Sequence, residues 1–561
     1  MDARSANETT EANETAEAAK AHEAAMAHRP DGSDRPPRLT DDTMVVAKDG
    51  RRHSWRSIKL LLATLIISTL GDGFCSVMMS VALPNISETY HVSLATANWV
   101  TVGYAVVAAT AVMTAASALA RIGLKRLFFW SRILLIASSA IGLCSVDFPM
   151  MLTSRLIQAV GAGLMFPTIN TVIIRVVPPE RSGRIISLNS SIIGVGIAVA
   201  PLLSGVFLTY VSLTSMYVVP LVIGVVSLVM GCRYAFDVEA RRDAPIDVLS
   251  VALAFVGLAM VMLGFSELTD RPPLAAAMLV AGLGVLAVFV RRQRRLRTPL
   301  LDLRPLRHAY VSVGVLLFLA AGMGQQAILL LLPLYLERAC SYTPFVAGFF
   351  LLVLTLAYAG AVLYAGRCVD RHGMWPIVSV GFALLTVGLF AIFGIAPLRA
   401  AWLVVAIGAF AIVGDSFVNV PDKDVIFESL PDAQVPDASS IFSTGSQIAG
   451  SLGSALFVGI LSADVLRRTD AGAGRRLAYA YGFQHAVLVG AAIEAVMFAV
   501  SLWYSLRMVR HGHNRVTPAA AMRSVSPASS TAVLADASSA ATSPSHPASS
   551  AAARGVSRGS D

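Results

Sequence analysis

Charge is what this chain has least of. Acidic and basic residues together make up 14% of its 561 residues, about half the share usual in a soluble domain. Hydrophobic residues make up 55%, and the mean hydropathy is +0.67. A water-soluble enzyme is excluded, because no soluble core absorbs apolar runs of this length. Cysteine is scarce as well. Cys75, Cys144, Cys232, Cys340 and Cys368 are scattered, odd in number and mostly inside apolar runs, which leaves neither a disulfide framework nor a metal-ligand spacing. No Gly-x-x-x-x-Gly-Lys-Ser/Thr string occurs, so direct use of ATP through a phosphate loop is not expected. The loops lack the clustered His or Asp motifs of an integral-membrane enzyme, and no folded soluble domain of a sensor or scaffold is evident. The first 50 residues are hydrophilic, without the apolar core of a cleavable signal peptide.

Long apolar segments remain, and they are the content of the chain. Taking about 20 residues per crossing, fourteen segments qualify: 58–83, 98–120, 126–146, 149–177, 185–211, 213–236, 245–266, 272–291, 309–336, 344–366, 376–395, 398–420, 438–462 and 483–508. Each has to be a helix, because lipid offers nothing to an unpaired backbone amide. The expected product is an all-α polytopic membrane protein. Residues 1–57, with a tandem Ala-Asn-Glu-Thr repeat, and the Ser/Ala/Pro-rich residues 509–561 have too little to bury and read as disordered tails.

The net charge of +9 sits in short loops rather than along one face, which points to topology and not to nucleic acid. Loops on the side of the N-terminus hold nineteen lysines and arginines, against seven on the other side. By the positive-inside rule both termini are cytoplasmic. Four of the seven, Arg467, Arg468, Arg475 and Arg476, crowd into one outer loop against that rule.

Four ionisable residues stand deep in apolar segments: Asp72, Arg155, Asp415 and Glu494. An intramembrane charge costs at least about 2.5–3.5 kcal/mol, so such residues face a partner or a cavity. A static ion pair is the plain alternative. Asp72 and Arg155 read as functional, Glu494 as structural, and Asp415 stands between. Gln158, Gln325, Gln326, Tyr358 and Asn419 are candidates for lining a polar cavity or for bridging helices. A proton-coupled site needs a carboxylate that gains and loses a proton in turn, a property that desolvation confers.

The motifs themselves resemble the major facilitator superfamily, in particular its fourteen-helix drug:proton antiporter branch, over residues 58 to 508. Gly366-Arg367-Cys368-Val369-Asp370-Arg371-His372-Gly373 is similar to the loop Gly-x-x-x-Asp-Arg-x-Gly of each half, whereas the first half keeps Arg121 and Gly123 without the aspartate. Arg155-x-x-Gln158-x-x-Gly161-x-Gly163 resembles the proton-coupling string of the fourth helix. Gly196 to Gly205, with Ala200 and Pro201 inside, resembles the antiporter signature of the fifth. Arg297-Thr298-Pro299-Leu300-Leu301-Asp302 resembles the connector after two additional central helices, and Ser440 to Gly453 the thirteenth-helix string. One departure concerns function: Cys75 stands where the family has a first-helix aspartate, and Asp72 lies one turn earlier on the same helix.

The resemblance implies a major-facilitator fold: a six-helix bundle at 58–236, two extra helices and a connector at 237–308, and a second six-helix bundle at 309–508. It implies a transporter rather than an enzyme, without a cofactor, driven by a proton gradient. Its expected partners are a small-molecule substrate, protons and membrane lipid, with no nucleic acid; a periplasmic adaptor or outer-membrane channel is neither implied nor excluded. The expected activity is efflux of hydrophobic or amphipathic compounds across the inner membrane, with transport of one specific metabolite as the rival. Asp72 takes the coupling role, tuned by Arg155 where the two lie close. The loop residues Arg121, Gly123, Gly366, Asp370, Arg371 and Gly373 form a gate, and Gly196, Ala200, Pro201 and Gly205 pack helices.

Overall fold

The computed structural model describes residues 44–46, 52–177, 179–237, 247–268, 271–296, 299–372, 374–430 and 435–510. Fourteen helices are long and apolar enough to span a bilayer. They are α1 (Trp55–Val77), α2 (Leu94–Ile122), α3 (Leu124–Leu143), α4 (Phe148–Val176), α5 (Leu188–Tyr210), α6 (Thr214–Tyr234), α7 (Val248–Ser266), α8 (Pro272–Gln293), α9 (Ala309–Ala339), α10 (Pro344–Val362), α11 (Trp375–Leu398), α12 (Ala401–Asn419), α13 (Ala438–Asp470) and α14 (Arg475–Arg507). Among the described residues the one sheet is a strand pair, Met44–Val46 with Arg52–Ser54, inside the stretch expected to be a solvated tail.

An even number of spans puts both termini on one face, and the opposite face is called distal here. The sequence boundaries hold to a few residues except where polar chemistry intervenes. α1 stops at Val77 rather than running on to 83, because the chain turns through 78–82 ahead of Pro84, a residue that cannot continue a helix. At the distal end of α13 and α14 the helices run past the expected 462 and 483 to Asp470 and Arg475. Arg468 pairs with Asp464 one turn back at 3.0 Å and lies 4.5 Å over the Tyr481 ring, so this arginine stabilises helix rather than loop. Gly472, at φ +84°, makes the reversal that a side chain would resist.

Within each bundle, small residues bring helices together. α2 and α4 meet at Gly163, where a Cβ would lie 2.7 Å from the Ala108 carbonyl oxygen. α1 and α5 meet at Gly196, where it would lie 2.6 Å from the Leu70 oxygen. The signature helix α5 then uses its other glycine to reach across the molecule. A Cβ on Gly205 would strike the Pro344 carbonyl of α10, and one on Gly348 would strike that of Pro201. Close approach of this kind is the usual device of membrane helix packing. Lipid-facing positions carry the large apolar side chains, among them Val222, Val229, Val280 and Leu283. Trp130, Trp402 and Trp503 are exposed nearer the ends of their helices, as expected of interfacial aromatics.

Gly205→Leu is therefore expected to part α5 from α10, since a main-chain oxygen cannot rotate away. A cysteine pair at Thr209 and Phe345, whose side-chain oxygen and amide lie 3.0 Å apart, reports it: cross-linking falls in the Gly205→Leu background. Unchanged cross-linking at equal expression contradicts the packing role.

Candidate functional site

The first half builds its polar centre on α1, α3 and α4. Asp72 is buried, and Arg132 of α3 places Nη2 3.0 Å from each of its carboxylate oxygens. Arg132 is completely buried; it also donates to the Ser131 hydroxyl at 2.9 Å and the Ser68 carbonyl at 3.3 Å. Its Nε finds no hydrogen-bonding partner among the described residues. Arg132 was not among the sequence candidates. The available signal was an arginine inside the apolar run 126–146, set back from the loop charges Lys125 and Arg126.

Arg155 does not meet Asp72 in an ion pair. Its Nη1 donates to the Cys75 carbonyl at 3.0 Å and to Gln158 Oε1, and its Nε donates to the Val100 carbonyl at 3.3 Å. The Cys75 carbonyl belongs to the last turn of α1, where helical amide partners run out. The guanidinium lies 4.2 Å from the centre of the Tyr104 ring, a cation–π arrangement in a desolvated place. Arg155 thus fastens the end of α1 to α2 and α4, beside the cysteine that replaces the family's usual aspartate.

The second half is built differently. Asp415 of α12 is buried and accepts from Gln325 Nε2 at 2.8 Å and from Asn419 Nδ2 at 2.6 Å, both neutral amides. Next to Gln325, Gly324 makes room for Glu494 of α14: a Cβ there would collide with the Glu494 carboxyl group. Glu494 is completely buried, and neither of its oxygens has a hydrogen-bonding partner among the described residues. The two carboxylates therefore stand on adjacent residues of α9, close to where that helix is interrupted at Leu330 and widens into a π-type turn at Tyr335–Ala339. Such turns recur at functional sites.

Between the halves lies a cavity of about 50 Å³ lined by Ser76, Ser80, Thr101, Pro201, Gln326 and Thr355 together with apolar side chains of both halves. Gln326 reaches it, while also donating to the Gly450 carbonyl at 3.2 Å; Gln325 points to Asp415 instead. Gln158 is buried with Arg155, and its Nε2 has no hydrogen-bonding partner among the described residues. Along α5, Gly196 abuts Leu70 and Gly205 abuts Pro344, Ala200 is buried, and Pro201 also lines the cavity.

Several hydrogen bonds join the two bundles distally. Glu88 takes Arg338 and, at 3.3 Å, Arg475 from the second half. Asn98 and Ser454 exchange two bonds, at 3.0 and 2.8 Å. The outer arginine cluster that the loop rule left unexplained thus contributes Arg475 to a distal clasp. On the terminal face, the surroundings of Gly366, the side chains of Asp370 and Arg371, and Gly373 entirely lie outside the described residues. Arg121 is exposed without an ion-pair partner among those described, and Gly123, at φ +81°, makes the turn from α2 into α3.

The profile of the Major Facilitator Superfamily matches residues 65–454. The lincomycin resistance protein LmrB of Bacillus subtilis is 26% identical over 416 residues, 73% of this chain and 87% of that one. The riboflavin transporter RibZ of Clostridioides difficile is 22% identical over 414 residues, 72% of this chain and 88% of that one. Among solved structures, a D-xylose–proton symporter superposes with a TM-score of 0.52 at 14% identity, covering 77% of this chain and 97% of its own.

The Asp72–Arg132 geometry makes a sharp expectation. Arg132→Gln strands a buried carboxylate and costs about 3–5 kcal/mol, whereas Asp72→Asn with Arg132→Gln recovers most of that loss. Unfolding of the purified single and double variants in detergent measures both. Additive losses contradict a coupled pair.

Proposed function

The chain belongs to the Major Facilitator Superfamily and is a multi-pass membrane transporter, not an enzyme; from that premise we propose that it exports hydrophobic or amphipathic compounds in exchange for inward-moving protons. Both termini are then cytoplasmic, in the plasma membrane, as the loop charges favour. The two bundles rock about the central cavity, and the distal clasp of Glu88 opens as the cytoplasmic side closes.

The observation that carries this reading is Glu494, a buried carboxyl group with no hydrogen-bonding partner among the described residues, near a second buried carboxylate, Asp415, that accepts from the Gln325 and Asn419 amides. An uncompensated charge in such surroundings is expensive, and a bound proton removes it. Asp72 serves differently. Its proton competes with Arg132, so loading one releases the other and can signal between α1 and α3. The cavity is small as it stands, but its walls, Val77, Met79, Ile197, Leu329, Leu330 and Leu351, are apolar, which suits a substrate with an apolar face once the bundles part. The resistance relative supports a toxic compound as cargo. The riboflavin relative keeps a single-metabolite reading in view, and riboflavin belongs in the test panel for that reason.

In inside-out vesicles with an imposed pH gradient, the wild-type chain is expected to accumulate several unrelated dyes that compete with one another. Glu494→Gln is expected to lower gradient-driven accumulation about tenfold, the scale of a typical coupling free energy, while dye binding persists; Asp72→Asn is expected to uncouple as well. Accumulation indifferent to the gradient contradicts proton drive, and competition by riboflavin alone replaces the multidrug reading.

A further inference from the structure

The connector between α8 and α9 was expected only as a family signature. It forms a pocket. A cavity of about 170 Å³ is lined by Gln293, Arg294, Leu296, Asp302, Arg304 and Arg307, with Pro299, Leu303 and Leu306 completing its wall.

The pocket is held in shape from beneath. Gln293 is buried; its Oε1 accepts from the Leu300 amide at 2.8 Å, and its Nε2 donates to the Ser250 hydroxyl at 2.8 Å. Next to it Arg292 grips Asp247 through Nε at 2.8 Å and Nη2 at 3.1 Å. These hydrogen bonds, Arg292 foremost, hold the Asp247 carboxyl down at about 2. The grip is therefore charged throughout the neutral range and is lost only as the pH falls towards that value. The connector is thus tied to the ends of α7 and α8 rather than draped over them, and Pro305 and Leu301 are buried beneath it.

The charge on the rim is not balanced. Asp302 already accepts from the Arg304 amide at 2.9 Å and pairs with its guanidinium at 3.6 Å. Among the described residues Arg294 and Arg307 have no ion-pair partner. Two arginines without an ion-pair partner among the described residues therefore line a small preformed cavity. Its volume is below the roughly 300–1,000 Å³ of sites for drug-sized ligands, so it suits a small anionic group. The level is that of the membrane surface: Arg294 directly follows α8, and Arg307 stands two residues before α9. Leu296, Leu303 and Leu306 add an apolar side to the cavity.

We propose that this pocket binds a phosphate group, most naturally the phosphodiester headgroup of an anionic phospholipid, whose acyl chains pass down beside α8 and α9. Arginine supplies the planar double donors that phosphate oxygens accept, and basic pockets at helix ends are where anionic headgroups are recognised. The inference needs only that these helices span a bilayer, and is independent of cargo and of proton drive.

Native mass spectrometry of the purified full chain with phosphatidylglycerol, and with phosphatidylcholine as the neutral probe, tests it. The wild type is expected to retain phosphatidylglycerol preferentially. Arg294→Gln with Arg307→Gln is expected to weaken that retention about 30-fold, the loss anticipated when two basic side chains leave a membrane surface, and Arg294→Lys with Arg307→Lys to restore most of it. Phosphatidylcholine adducts should not change, which separates loss of the site from loss of fold. Thermal stabilisation by millimolar inorganic phosphate, lost in the same glutamine variant, without phosphatidylglycerol retention would assign the pocket to a free phosphate-bearing solute instead. Equal phosphatidylglycerol retention by wild type and glutamine variant, with no phosphate effect in either, overturns the proposal.

Discussion

A charge inside a membrane protein must be answered locally, and the rest of this molecule is arranged around how each half meets that demand. In the first half the answer is a counter-charge. Asp72 and Arg132 satisfy each other at 3.0 Å with almost no exposure, and Arg155 satisfies itself on carbonyl oxygens and the face of Tyr104. In the second half Asp415 accepts from the Gln325 and Asn419 amides, and Glu494 packs closely against Gly324. A paired carboxylate gives up its counter-charge when it takes a proton, whereas Glu494, with no hydrogen-bonding partner among the described residues, takes one without that loss. The two halves thus meet the same demand in different ways.

The same economy governs how the halves touch. A rocking mechanism needs an interface that is tight in one state and separable in the other. The distal face offers main-chain contacts at Gly205 and Gly348, one reciprocal amide–hydroxyl pair at Asn98 and Ser454, and the half-exposed Glu88 clasp. Buried apolar side chains of both halves, among them Phe74, Met78, Leu330 and Leu351, also share one cluster. Exposed ion pairs such as the Glu88 clasp are each worth about 1 kcal/mol or less, weak enough to exchange during transport.

Much of the architecture was legible in the sequence. Apolar length alone marks fourteen spans, because bilayer thickness fixes the count of residues per crossing. The small residues of α5 read as packing devices in the sequence; in the structure Gly196 lies against Leu70 and Gly205 against Pro344. The site was legible in its members but not in its pairings. Asp72, Arg155, Asp415 and Glu494 are visible as charges in oil, but which cation answers which carboxylate depends on helix rotation and neighbours that periodicity does not encode. Arg132 escaped because it sits in the half of α3 nearest the loop charges, where an arginine reads as topology. The outer arginines were read as an exception to a rule about loops, although Arg475 belongs to a helix and to a clasp whose acidic partner, Glu88, lies nearly four hundred residues earlier. Glu494 lacked any motif, and its significance comes from Gly324 opposite, a contact between α9 and α14 that only the fold creates.

The central claim is that the proton driving transport resides on Glu494. Difference infrared spectroscopy of the purified protein in lipid, comparing the substrate-free and substrate-bound states, tests it most directly. A protonated-carboxyl band that disappears on substrate binding, and that is absent from the Glu494→Gln variant while surviving in Asp72→Asn, is the predicted result. The same band in Glu494→Gln, or one abolished only by Asp72→Asn, would contradict the account and move the coupled proton to the first half.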